Sequence, residues 1–110
     1  MADETFELRF ERACKRDEVR PGRGRIVHVG GQKIAIFLAE GQLYAIQNQC
    51  PHAAGSLGNG QCEGFTVRCP RHDWVFSLKN GRCLTRRMYN ARVYPVEVRG
   101  DHIYIAMVNG

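Results

Sequence analysis

No apolar run in this chain exceeds six residues, as at Ile34 to Ala39, whereas a membrane-spanning helix needs about 20. No basic-then-apolar leader opens the chain, because Met1-Ala2-Asp3-Glu4-Thr5 is acidic and polar. These absences predict a cytoplasmic protein that neither crosses a membrane nor carries an export signal. No stretch of ten or more residues keeps a helical period, and there is no repeat, low-complexity tract or linker. A length of 110 residues therefore reads as one domain, 1–110, with a single modest core. Hydrophobic residues at 44% and charged residues at 25% exclude wholesale disorder.

An even, disulfide-ready set of cysteines is also missing. The five present stand at positions 14, 50, 62, 69 and 83. That odd count predicts a reducing compartment, with metal or cluster ligation among the thiols. Burial as inert thiols accounts for Cys14 and Cys83, and Cys62 is expected to be an unbridged thiol. His28 and His102 fall within predicted strands and read as surface or core residues.

What the chain does have is short strands broken by turns. Phe6, Leu8 and Phe10 alternate with charged neighbours, as a half-buried strand requires. Arg25 to Val29 and Lys33 to Ala39 flank Gly30-Gly31, a hairpin signal, and Glu40-Gly41 leads into Gln42 to Gln47. These central runs are apolar on both faces, which predicts cover on both sides. Tyr94, Val96 and Val98 alternate, and Gly100-Asp101 turns the chain into a last strand with Ile103, Ile105 and Met107. Pro95 lacks a backbone donor, so its strand is expected at an edge or with a bulge. The class is all-β. Residues of about 46–84 differ: a glycine-rich stretch from Asn48 to Gly64 precedes short strands at Phe65 to Arg68 and Trp74 to Leu78, with a turn at Asn80-Gly81. They read as a small site-bearing subdomain on a base of about 5–45 and 85–108.

The chemistry concentrates in Cys50-Pro51-His52 and Cys69-Pro70-Arg71-His72, a C-x-H and a C-x-x-H separated by sixteen residues. Each loop offers one thiolate and one imidazole, and the proline after each cysteine stiffens the loop. Three readings compete: no common site, a tetrahedral zinc ion, and a two-iron cluster. Zinc accepts two Cys and two His, but C-x-H is tight for two ligands on one ion. A cluster relieves that tightness if one iron takes both cysteines and the other both histidines.

Together with Asp73-Trp74-Val75-Phe76 and Asn80-Gly81, these boxes resemble the Rieske [2Fe–2S] family over essentially the whole chain. The resemblance implies a Rieske fold, with a β-sandwich-like base and a small cluster-binding subdomain. It implies one [2Fe–2S] cluster per chain, with Cys50 and Cys69 on one iron and His52 and His72 on the other. High-potential relatives carry a disulfide where this chain has Gly55 and Arg71, and cluster-bonding Ser and Tyr where it has Trp74 and Phe76. A membrane anchor and an oxygenase's catalytic domain are not expected. The implied role is a soluble, low-potential one-electron carrier, itself not an enzyme and a monomer when isolated. It would pass electrons from a flavin-type reductase to a terminal oxygenase. The alternative is a Rieske-type small subunit of a redox enzyme such as assimilatory nitrite reductase.

Charge is uneven. No Lys or Arg occurs between Lys33 and Arg68, and Arg68, Arg71, Lys79, Arg82, Arg86 and Arg87 then follow within twenty residues. This cluster is expected either to steer an acidic partner or to be a solvated face. Without a recognition helix or an aromatic-rich basic strand, nucleic-acid binding is not expected.

Overall fold

The computed structural model describes the backbone of residues 7–51 and 55–109 and the side chains of 9–51 and 55–107. Phe6, the Leu8 side chain and His52 lie outside the described residues. The strands are β1 (Glu7–Lys15), β2 (Arg25–Val29), β3 (Gln32–Ala39), β4 (Gln42–Gln47), β5 (Gln61–Glu63), β6 (Thr66–Arg68), β7 (Val75–Ser77), β8 (Val93–Tyr94), β9 (Val96–Arg99) and β10 (His102–Asn109). They form three sheets, ordered β1-β10-β9, β2-β3-β4-β8 and β5-β6-β7. Every pairing within these sheets is antiparallel. The only helical elements among the described residues are 3-10 turns at Arg16–Glu18 and Leu57–Asn59. None of the described helices is long and apolar enough to cross a membrane.

Two tight turns set the central register. Gly30 and Gly31 have φ of 55° and 78°, and Glu40 and Gly41 have 51° and 79°. Positive φ at both central residues twists a two-residue turn to match its flanking strands. It pairs Val29 with Gln32 and Ala39 with Gln42. The hairpin expected at Gly30-Gly31 is present, and Glu40-Gly41, read as a break between two runs, closes a second one.

Side chains alternate across a strand, so a strand covered on both sides feeds two cores. Ile34 and Ile36 of β3 join Val27, Val29, Ala45, Ile103 and Ile105 between the two larger sheets. Ala35, Phe37 and Ala39 of the same strand join Ile46, Leu57, Val67, Phe76 and Leu78 beneath the third sheet. Thus β3 is the wall between the base core and the core carrying the third sheet. Phe37 is fully buried, and Phe37→Ala is expected to cost about 3–5 kcal/mol and loosen the third sheet from the base.

Pro95 sits where the chain changes sheets. Tyr94 pairs with Ala45 at the edge of one sheet, and Val96 pairs with Ile105 at the edge of another. A residue with no N–H to give suits that crossing, and its carbonyl still accepts from Ala106 N at 3.0 Å. The Asn80-Gly81 turn is real but carries no second strand. Gly81 N–H donates to Ser77 O at 2.8 Å, and beyond it Phe76 meets Cys83 in a single bridge.

Candidate metal centre

Each ligand box is fixed differently. The first leaves β4 through Asn48, which is 4% exposed and the one buried polar residue among those described. Burying an amide costs free energy unless its groups are bonded. Asn48 Oδ1 accepts from Gly58 N–H at 2.8 Å and from Ser56 Oγ at 3.2 Å. Its backbone N–H donates to Lys33 O at 3.0 Å, and its carbonyl accepts from Leu57 N–H at 2.7 Å. This one residue thereby ties the glycine-rich segment to the start of the ligand loop through side chain and backbone, and to β3 through its backbone alone. Cys50 N–H then donates to Gly55 O at 2.9 Å, closing the loop over itself.

Two glycines make this packing possible. A Cβ on Gly58 would lie 2.3 Å from Ile26 Cγ1, and one on Gly55 only 2.5 Å from Cys69 Sγ. Gly55 is the point where the first loop presses against the second loop's sulfur. That Cβ would also lie 3.1 Å from Arg71 Cβ.

The second box closes through its backbone. Cys69 N–H donates to Trp74 O at 2.7 Å, and Asp73 N–H donates to Cys69 O at 2.9 Å. Asp73 holds a φ of 62°, a left-handed conformation that Asp tolerates better than most residues. The strands β6 and β7 carry this turn, with Arg68 paired to Val75 and Val67 to Phe76.

The loops bring Cys50, Cys69 and His72 together, with one ligand atom from each lying within 4.8 Å of the others. His72 Nε2 is 3.7 Å from Cys50 Sγ and 4.0 Å from Cys69 Sγ. Both cysteines are buried. Two sulfurs and an imidazole nitrogen around a point where Gly55 leaves room suit an iron–sulfur cluster or a zinc ion. His52 falls in 52–54, outside the described residues. Cys14, Cys62 and Cys83 are not in this group. Cys14 lies in the base core, and burial first, then the Glu18 charge, pushes its thiol above the ordinary 9.0. Burial likewise raises the Cys62 thiol, which donates to Gly64 O at 3.8 Å. The buried Cys83 sulfur accepts from Arg86 N–H at 3.3 Å and so shapes the following loop. His28 is exposed, and His102 Nδ1 accepts from Arg12 Nε at 2.9 Å. Neither belongs to the centre.

Trp74 is half-buried beside it. Its ring lies 5.0 Å from the His72 ring and 5.1 Å from that of Tyr89. Phe76 is fully buried, in the same core as Cys50 and Cys69. The bonding role of Asn48 and the left-handed backbone of Asp73 are not visible in the sequence. Asn48 stands in a polar run, Gln47-Asn48-Gln49, and nothing in that run singles it out. Nothing in the local pattern marks Asp73 as left-handed.

The sequence pattern of the Rieske-like [2Fe–2S] domain matches residues 9–106. The biphenyl dioxygenase ferredoxin subunit of Pseudomonas sp. (strain KKS102) is 33% identical over 100 residues, covering 89% of this chain and 92% of its own. A Mycobacterium tuberculosis protein named as an NADH-dependent nitrite reductase small subunit superposes with a TM-score of 0.87. It is 27% identical, covering 94% of this chain and 99% of its own. A chain in the complex of reduced oxygenase and oxidised ferredoxin of carbazole 1,9a-dioxygenase gives a TM-score of 0.80. It is 28% identical, covering 88% of this chain and 92% of its own. The donor set of the two loops and the match along nearly the whole chain agree: this protein belongs to the Rieske-like [2Fe–2S] family.

Proposed function

We propose that this chain is a one-electron carrier delivering electrons from a flavin-type reductase to a terminal oxygenase in the cytoplasm. The observation that carries the reading is the convergence of Cys50, Cys69 and His72 within 4.8 Å, the one such donor group among the described residues. In this reading Cys50, His52, Cys69 and His72 hold the cluster, in a subdomain of about 46–84 on a base of about 5–45 and 85–108. A cluster bound there accepts and returns a single electron. The chain's residues supply the rest. The two thiolates and two neutral imidazoles leave the site less negative than four thiolates would, which favours the reduced state. Gly55 and the buried Leu57 and Phe76 exclude water behind the sulfurs, while His72 lies nearer the surface, where a partner approaches. The named dioxygenase relative is itself a ferredoxin subunit.

A second reading is favoured by the superposition on the nitrite reductase small subunit, at a TM-score of 0.87. In it the same centre feeds a catalytic chain within a stable complex. Purification separates the two. A carrier purifies alone as a monomer, takes up about one electron per chain and is reduced by a flavin reductase. A chain recovered only with a catalytic subunit supports the second reading.

A further inference from the structure

We infer that the loop 82–90 is a docking face for an acid-rimmed redox protein with an apolar hollow at the centre of its contact surface. This rests on the carrier role proposed above and names the chemistry of the partner. Four large hydrophobic side chains are exposed among the described residues: Leu84 at 59%, Met88 at 87%, Tyr89 at 40% and Val98 at 38%. Three of them fall within 84–89. Apolar side chains grouped at the surface mark contact sites.

The charge along this stretch of chain has one sign. From Trp74 to Val96 the chain has no Asp or Glu, but it has Lys79, Arg82, Arg86, Arg87 and Arg92. The three ion pairs among the described residues use Arg9, Arg25 and Arg99, so the loop's own cations are uncompensated by any of them. An acidic rim on a partner would neutralise Arg82, Arg86 and Arg87, while an apolar hollow would take the flexible Met88. A nucleic-acid partner fits less well, because phosphates gain nothing from Leu84 and Met88 at the middle of the face.

The face is shaped and adjoins the metal centre. Asn90 Oδ1 accepts from Cys83 N–H at 3.1 Å, Cys83 Sγ accepts from Arg86 N–H at 3.3 Å, and Arg86 O accepts from Tyr89 N–H at 3.2 Å. These bonds fold the loop back on itself and present Met88 outward. The Arg86 guanidinium lies 5.8 Å from the centre of the Trp74 ring. The rings of Tyr89, Trp74 and His72 follow one another at 5.1 and 5.0 Å. A partner seated on Met88 thus lies against the side chains that flank His72. Transfer across this face moves one electron and makes or breaks no bond.

The test uses the dithionite-reduced holo-protein and two trianionic oxidants. Ferricyanide is hydrophilic, and tris(bathophenanthrolinedisulfonato)cobaltate(III) carries the same charge on a large aromatic body. At low salt Met88→Glu is expected to slow both by about ten-fold and Val98→Glu by less than about two-fold. Met88→Ser is expected to slow only the aromatic oxidant, by about three-fold. With methyl-labelled methionine, redox-inert hexacyanochromate(III) should broaden the Met88 signal and spare the buried Met107. Equal responses to Met88→Glu and Val98→Glu, or broadening that spares Met88, would overturn the docking face. A protein that accepts no electron from dithionite would instead overturn the carrier role. The methyl broadening still reads the face in that case.

Discussion

The two boxes each carry one Cys and one His in the sequence, yet the chain supports Cys50 and Cys69 in different ways. The first adds a side chain to its backbone bonds: Asn48 Oδ1 accepts from Gly58 and Ser56, and two glycines let the loop lie against Ile26 and Cys69. The second depends on its backbone, with bonds from Cys69 and Asp73 and a left-handed residue between two paired strands. The lesson is that one kind of donor box does not imply one kind of support. The first loop should be fragile toward side-chain truncation and the second toward loss of backbone conformation.

The largest effect strikes what the loops share. Cys69→Ser is expected to lose the cluster, so that iron per chain falls from about two to near zero while far-UV circular dichroism keeps its β signature. Gly55→Ala comes next, because its Cβ would lie 2.5 Å from Cys69 Sγ. The wedge between the loops should cost about 1–3 kcal/mol in denaturant unfolding and speed loss of colour.

The contrast itself is sharpened by a pair of variants. Asn48→Ala leaves the buried Gly58 N–H without its acceptor, an expected loss of about 1–3 kcal/mol. Asp73→Ala places a β-carbon without a compensating polar group at a φ of 62°, an expected loss of about 1 kcal/mol, and Asp73→Gly should avoid most of it. Equal losses in Asn48→Ala and Asp73→Ala, with no relief in Asp73→Gly, would break the comparison.

How much of this was legible in the sequence follows from what each element needs. The Gly30-Gly31 turn was readable because positive φ in a tight hairpin favours glycine, and Gly41 marked the next turn although Glu40 beside it is an unusual residue at positive φ. The two-sided burial of β3 was readable because Ile34 to Ala39 is apolar at every position. Strand β5 was not, since Gln61-Cys62-Glu63 has no apolar alternation and lies in a glycine-rich stretch. It becomes a strand only by pairing with β6. The donor boxes stood out through their residue types and spacing. Asn48 did not, because its work is done with Ser56 and Gly58, which only the folded loop brings to it. Pro95 announced an irregularity, but only the fold reveals it as the point where the chain changes sheets.

Two smaller effects lie outside the contrast. Phe76 is fully buried, and the family resemblance implies a tyrosine at this position in high-potential members. If the added hydroxyl reaches a cysteine sulfur, Phe76→Tyr raises the midpoint potential; a bond worth about 1.5 kcal/mol between redox states corresponds to about 65 mV for one electron. Protein-film voltammetry of the two proteins reads this directly. The smallest effect belongs to the base core. Burial keeps the Cys14 thiol protonated above its ordinary 9.0. The unfolded chain therefore ionises first, and stability present below that pH is lost as the solution becomes more alkaline. Cys14→Ala should flatten the alkaline limb of unfolding curves while leaving the electron paramagnetic resonance spectrum unchanged.

In the proposed function two loops share one cluster through two thiolates and two imidazoles. Electron–nuclear double resonance of the reduced protein, with iron and sulfide counted on the same sample, tests this most directly. The account predicts about two irons and two sulfides per chain and couplings from two histidine nitrogens, one lost in His52→Cys and the other in His72→Cys. A colourless protein with a single zinc, or a cluster coupled to no histidine nitrogen, would contradict it.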